Sequence, residues 1–405
     1  MKAIVLGGLG IMGIAALVSL RKEKEISHIT VVDRQAAAVK EVVAWLNDSI
    51  DHEKYSGLVV DATDYKALVE AIQGNDIVIN CAAMTGHYLS ATKASLEAGA
   101  NYIDVGSFGE EEAQMRLGDE FKKKQLMAVL GMGFTPGLVN IAAVYAIEKL
   151  EKTNSVDIRW SIVDIVPPSD HSRPLYGGFN WWGYIHNYFS LPSTRWENGK
   201  RREYPPRHEP ESFVFKGPVG ATEVAGWPGY DSDSLAKLFP EIPDIESKAA
   251  VGTETARKWE LLKGLGFNRK EPIDVGGQKV SPWAVLETLL NNQAAEIQMP
   301  PDIRHGGAVM VNGLEQGKKT QYRIDIWPSE RLVQEYKELG VARYGGQGGV
   351  FRVGSSMATA AILMARGVAN GKGVFYPESA FPAKAFLEQE ASMGINVEIS
   401  RVEIL

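Results

Sequence analysis

Cysteine is nearly absent: Cys81 stands alone among 405 residues. A single thiol excludes an internal disulfide framework. No Cys/His group has the spacing of a zinc site either, so no metal is expected. No apolar run reaches the roughly 18 residues that a membrane span requires. Basic charge is also short: 43 Lys and Arg stand against 50 Asp and Glu, a net charge of −7 that leaves no electrostatic footprint for nucleic acid. The first apolar run is broken by glycines and lacks a basic leader, so a signal peptide is not expected. These absences point to a cytoplasmic protein with no membrane or nucleic-acid partner. At 45% hydrophobic and 23% charged residues the composition is that of a globular chain. The length favours two domains over one.

Glycine, in contrast, is concentrated at one place. "IVLGGLGIMG", residues 4–13, holds four glycines between an apolar strand-like run and a helix-like run. Gly8, Gly10 and Gly13 fit Gly-x-Gly-x-x-Gly, and Gly7, Gly10 and Gly13 equally fit Gly-x-x-Gly-x-x-Gly. A strand, a glycine turn and a helix start form a phosphate site, because the first helical N–H groups and the helix dipole both favour an anion. Gly8, Gly10, Ile11, Met12 and Gly13 are therefore candidate cofactor residues. "HITVVDRQ" places Asp33 about 20 residues beyond Gly13, where dinucleotide-binding domains carry an acid. A carboxylate there binds ribose hydroxyls and repels a 2′-phosphate, so NAD is expected, with NADP as the lesser choice. Arg34 keeps NADP open, since a guanidinium can hold a 2′-phosphate or stack on adenine.

Residues 1–135 alternate strand and helix, which predicts a Rossmann-type doubly wound parallel sheet. Ligands in such sheets sit beyond the carboxyl ends of the strands. The residues leaving those ends are the site candidates: Asp61 and Ala62, Cys81 and Ala82, His87, Asp104 and Thr135. From 136 to 345 the pattern becomes mixed α+β, with the hairpin-like "VMVNGLEQGKKTQYRIDIW" and several helix-like stretches. This reads as an inserted substrate-binding and dimerisation domain, and a homodimer is expected. Residues 346–405, with the small-residue helix "GSSMATAAILMARG", read as a segment returning to the first domain.

"YAIEK" places Tyr145 and Lys149 at the spacing of the short-chain dehydrogenase proton relay, but "GMGFTPGLV" lacks the serine that class needs. The pair reads more simply as a packed aromatic and a solvated lysine one helical turn apart. "INCAAMTGHYLSATKASLEAGANYIDVGSFGEE" followed by "VLGMGFTPGLVNIAA" resembles the saccharopine dehydrogenase-like family, and "GVFYPESAF" near the end resembles it more loosely. Members of that family make or break a C–N bond with a nicotinamide cofactor. The resemblance implies an oxidoreductase acting on the CH–NH bond of an amino acid or polyamine-like amine. Asp33 and the "NG" turn of the middle region favour a lysine 6-dehydrogenase-like member. An NADP-linked condensing reductase, such as saccharopine reductase or carboxynorspermidine dehydrogenase, is the alternative, although the Asp that often precedes Pro-Gly in the reductases is Thr135 here.

Amine oxidation needs a base for the ammonium proton and a charge that stabilises the iminium. His87 is the candidate base, or else the cap of the helix that follows it. Asp104 is the candidate for holding the cationic nitrogen, or else a structural carboxylate satisfied by backbone N–H groups. Thr135 and the Pro136–Gly137 turn are expected to shape the nicotinamide pocket, with Pro136 at a first helical position. The aromatic run "YGGFNWWGYIHNYFSLPSTRW" would cover a small amine or amino-acid substrate, or else form an interface. Tyr88, Arg173, Trp181, His186 and Arg195 are the candidate substrate residues, an arginine serving a substrate carboxylate. His171 is a secondary proton-transfer candidate.

Overall fold

The computed structural model describes residues 1–50, 52–106, 109–164, 187–296, 303–344 and 350–404. The first strand, β1 (Lys2–Leu6), has four consecutive buried residues, as a strand covered on both faces must. There follow α1 (Ile11–Leu20), β2 (His28–Asp33), α2 (Ala36–Asp48), β3 (Tyr55–Val59), α3 (Tyr65–Ile72), β4 (Ile77–Asn80), α4 (Tyr88–Ala98) and β5 (Asn101–Asp104). Two short helices, α5 (Glu111–Met115) and α6 (Gly118–Lys123), lead to β6 (Met127–Val129) and α7 (Leu138–Ile147). Local chemistry sets several of these ends. The Asp64 side chain accepts from Ala67 N–H to start α3, and Gly99, at φ +80°, ends α4.

The chain then runs through β7 (Lys152–Asp164), β8 (Ser193–Glu197), β9 (Lys200–Tyr204), β10 (Glu211–Phe215), β11 (Gly220–Gly226), α8 (Tyr230–Leu238) and β12 (Asp244–Ala250). Next come α9 (Thr253–Gly264), β13 (Ile273–Val275), β14 (Gln278–Val280), α10 (Pro282–Glu296), β15 (Ile303–Glu315) and β16 (Lys318–Pro328). The last part comprises α11 (Glu330–Glu338), α12 (Val350–Ala365), β17 (Gly373–Phe375), α13 (Pro377–Ala380), α14 (Ala383–Ser392) and β18 (Ile395–Glu403).

Contacts divide the chain into two units. One holds Met1–Leu150, the segment that starts at Pro328, and Val350–Val397; the other holds Glu151–Trp327 and the residues from Glu398. These boundaries differ from the expected 1–135, 136–345 and 346–405. Helix α7 belongs with the first unit, because it is buried on nearly every side from Leu138 to Ala146 and packs on α13 and α14. The expected returning segment ends in β18, a strand in the second unit's sheet beside β16.

The first unit is a seven-stranded parallel sheet in the order β17-β6-β5-β4-β1-β2-β3. The order reverses between β1 and β4, and the crevice beyond their carboxyl ends is the ligand position for such sheets. Helix α12 lies against α1, and its small residues allow it: a Cβ on Gly354 would stand 2.4 Å from the Ala15 Cβ. The second unit is a mixed nine-stranded sheet in the order β10-β11-β12-β7-β15-β16-β18, with β8 pairing β12 and β9. Its longest hairpin closes on Gln316 and Gly317, both at positive φ, and pairs Glu315 with Lys318. Tyr188 and Phe189, from the end of the aromatic run, are buried beside Trp259 in this unit's core.

The first unit also encloses an ionisable group away from the strand ends. Glu390 on α14 is fully buried; its Oε2 accepts from Ser355 Oγ at 2.8 Å. Burial pushes its pKa up to about 7, against the pull of the hydroxyls of Ser355, Thr359 and Ser356. The folded protein therefore keeps a proton that the unfolded chain loses near pH 4.5. Stability from this group is complete below that pH and is lost as pH rises through 7. Urea unfolding at pH 5 and pH 8 should show Glu390→Gln gaining about 2–3 kcal/mol on the wild type between the two pH values. An equal difference at both would mean that Glu390 does not titrate in this range.

Candidate active site

The glycine turn resolves into a backbone cradle. Gly7 takes positive φ, and its carbonyl accepts from Gly10 N–H at 3.0 Å. A Cβ on Gly13 would lie 2.3 Å from that carbonyl oxygen, so α1 can start this close to β1 only with glycine there. The turn uses Gly7, Gly10 and Gly13, and Gly8 lies in it too: its N–H donates to Val32 O at 3.0 Å, and a Cβ on it would stand 2.6 Å from the Val31 side chain. The N–H groups of Ile11, Met12 and Gly13 open the helix and have no intrahelical acceptor. A cradle of backbone donors that side chains would fill fits the pyrophosphate of a dinucleotide.

At the end of β2, Asp33 accepts from Arg34 N–H at 2.7 Å and from Leu9 N–H at 3.4 Å, which ties it to the glycine turn. Arg34 is exposed. Asp61 accepts from the N–H and hydroxyl of Thr63, and these bonds hold its carboxyl below the usual range, with Arg34 and His87 adding to the effect. Ala62 is half-buried beside it. Cys81 is buried against Met357, and burial pushes its thiol up to about 12, which suits packing rather than reaction. Ala82 donates to Asn80 Oδ1 at 3.1 Å, and its backbone lies against Gly7.

His87 occupies the N-cap position of α4, yet its side chain makes no cap bond and is exposed. The cap comes from Glu110, whose carboxylate accepts from Tyr88 and Leu89 N–H at 3.3 and 2.9 Å. The capping role considered for His87 is thus filled by a residue 23 positions later in sequence, from the β5–α5 connection. Tyr88, expected to meet substrate, is buried with its hydroxyl on the Ala82 carbonyl at 3.3 Å.

Asp104 is fully enclosed. Its Oδ1 accepts from Gly131 N–H at 2.8 Å and its Oδ2 from Gln114 Nε2 at 3.0 Å, while the Tyr102 hydroxyl adds a further bond. Burial outweighs these donors and pushes the carboxyl up to about 6. Asn80 donates to the Tyr102 hydroxyl at 2.9 Å, so one polar chain joins the ends of β4 and β5 to the turn after β6. Tyr102, Glu110 and Gln114, none of which is among the expected site residues, border this site together with Asn80. The alternation of Tyr102 with Asp104, and the four-residue spacing of Glu110 and Gln114, are the signals that put each pair on one side.

Thr135 is half-buried in the turn, but Pro136 is not the first helical residue. Helix α7 starts at Leu138 with Gly137 as its N-cap, whose N–H donates to Asn140 Oδ1 at 3.4 Å. Beside it the ring of Phe134 lies 3.5 Å under the buried Arg352 guanidinium. Lys149 stands over the Tyr145 ring at 5.1 Å, a surface cation–π pair.

In the second unit Arg195 is engaged by Glu197, by Glu209 at 2.7 Å and by Glu246 at 3.2 Å. Three carboxylates already use its donors, so it is not placed to receive a substrate carboxylate. Trp196, also in the expected aromatic cover, donates to Asp233 at 2.8 Å. His171, Arg173, Trp181 and His186 lie outside the described residues.

Two family models match the chain. "Saccharopine dehydrogenase NADP binding domain" covers residues 3–129 and "Saccharopine dehydrogenase C-terminal domain" covers residues 133–395. A carboxynorspermidine synthase of Vibrio alginolyticus is 24% identical, over 100% of this chain and 98% of that protein. A carboxyaminopropylagmatine dehydrogenase of Synechocystis is 22% identical, over 97% and 96%. Among solved structures, apo saccharopine dehydrogenase (L-Glu forming) of Saccharomyces cerevisiae shares the fold, with a TM-score of 0.73, 16% identity and 99% of each chain covered.

The geometry of the cradle gives a direct test. A Cβ at Gly10 has only the Gly7 oxygen nearby, at 3.3 Å, so a larger side chain there projects without displacing backbone. Gly10→Val should leave the fold and melting temperature near wild type while calorimetry detects no dinucleotide binding. Normal affinity in that variant would place the cofactor elsewhere.

Proposed function

The chain belongs to the saccharopine dehydrogenase family, and from that premise we propose that it is a nicotinamide-dependent oxidoreductase that makes or breaks the C–N bond of a carboxylated polyamine-type amine. The observation that carries this reading is the full-length relationship to proteins whose names describe such amines. It supports the condensing-reductase alternative better than lysine 6-dehydrogenase. A nicotinamide bound at the glycine turn would supply or take the hydride.

The chain's own residues then have separable tasks. The N–H groups opening α1 hold the pyrophosphate, and Asp33 meets the adenosine ribose. Asp104, ionised above about pH 6, stabilises a cationic nitrogen at the carboxyl edge of the sheet, where enclosure makes its charge count for more than in water. His87, exposed at the same edge, exchanges the proton of that nitrogen with solvent. Asp33 and Arg34 act in opposite directions on the 2′ position. The family description names NADP, while the carboxylate of Asp33 favours NAD.

Three measurements test this reading. Purified protein should oxidise reduced cofactor when given both a diamine and an amino-acid semialdehyde; reduction of NAD by lysine alone would reinstate lysine 6-dehydrogenase. NAD should bind more tightly than NADP, and Asp33→Ser should move the preference toward NADP by about 1–3 kcal/mol, the worth of a hydrogen bond to a charged group. Tighter NADP binding by the wild type would assign the 2′-phosphate to Arg34. With a confirmed substrate, Asp104→Asn should depress turnover far more than cofactor affinity. His87→Ala should cost about 10²–10⁴-fold in rate. Wild-type rates in both variants would move the chemistry away from these strand ends.

A further inference from the structure

Gln114, on α5, is fully buried, and both N–H bonds of its amide are committed. Nε2 donates to Thr92 Oγ1 at 2.8 Å and to Asp104 Oδ2 at 3.0 Å. The single hydroxyl proton of Thr92 serves the Tyr88 carbonyl at 2.9 Å or the Tyr102 hydroxyl, and with either partner Thr92 has only lone pairs to offer Gln114. The amide is thereby fixed as a donor, since the turned-over arrangement would set Oε1 against those lone pairs. In this orientation Oε1 is buried without a partner among the described residues. A side chain that merely filled space would not carry that unsatisfied acceptor.

We propose that Gln114 is a positioning residue, locked as a donor by Thr92, that keeps the Asp104 carboxylate ionised and aligned and so sets the pH at which Asp104 acts. The part concerning action rests on the role given to Asp104 above. The logic is one-sided. An ionised Asp104 accepts from Gln114, whereas a proton on Oδ2 breaks the bond and leaves two donors facing each other. Gly131 N–H serves Oδ1 as backbone, whereas Gln114 and Tyr102 are side-chain donors that substitution can remove. The ionisable groups facing the carboxylate are Tyr102 on its own strand, Tyr88 on α4, and Glu111 at the start of α5. Helix α12, packed against β5, carries Arg352, stacked on Phe134.

The test follows the carboxyl carbon of Asp104 by ¹³C NMR through a pH titration of the full chain. The wild type should titrate near pH 6. Gln114→Met, similar in size but without a donor, should raise the midpoint by roughly one to two pH units, the equivalent of one hydrogen bond to a charged group. Thr92→Val unlocks the amide and should move the midpoint the same way, and the double variant should add little to Gln114→Met alone. An unmoved midpoint in folded Gln114→Met overturns the proposal, as do additive shifts in the double variant. If Gln114→Met does not fold, Thr92→Val decides, and an unmoved midpoint there is equally fatal. Turnover is scored separately. A shifted midpoint with wild-type rates in Asp104→Asn would keep Gln114 as the residue that tunes Asp104 and reject the catalytic reading. With both intact, the acidic limb of the pH–rate profile should rise with the midpoint, and kcat should change more than KM.

Discussion

A fully enclosed carboxylate imposes conditions on everything around it. Asp104 sits at the end of a buried strand, where an ionised oxygen must find donors or take up a proton. The donors come from separate places: Gly131 from the turn after β6, Gln114 from α5, Tyr102 from the same strand. Each bond ties one more piece of the carboxyl edge to β5. Asn80 extends the linkage to β4 and, through Ala82, to the wall of the glycine turn. The carboxyl ends of β4 and β5 are therefore held by one polar chain, and burial and donors oppose each other in setting the charge of Asp104.

The second unit meets the same problem on a larger scale. Arg159 and Lys248 stand side by side on β7 and β12 and are both nearly inaccessible. Glu211 and Glu246 answer them, at 3.0 and 2.8 Å from Arg159 and at 3.4 and 3.6 Å from Lys248. Arg195 joins through Glu246 and Glu209. Breaking such a network by removing one member leaves a buried charge uncompensated, which is why its members are not free for other partners. A sequence in which arginines flank an aromatic run invites a substrate-binding reading for either. For Arg195 the neighbouring strands decide otherwise.

The sequence alone determined the features that depend on local order. The Rossmann alternation, the helix stop at Gly99, the hairpin before and after Gln316–Gly317 and the glycine turn that opens α1 all follow from backbone preferences acting over a few residues. The family followed from motifs of the same short range. Tertiary structure decided what depends on residues distant in the chain. It is the packing of Gly13 against both Gly7 and Gly8 that keeps both glycine patterns in use, and Glu110, not His87, that caps α4. Helix α7 joins the first unit because partners more than 200 residues later bury it. The setting of Asp104 belongs to this second class as well. Its position at a strand end can be read from alternation, but its donors from α5 and the turn after β6, its enclosure and hence its proton affinity come from segments that only folding brings together.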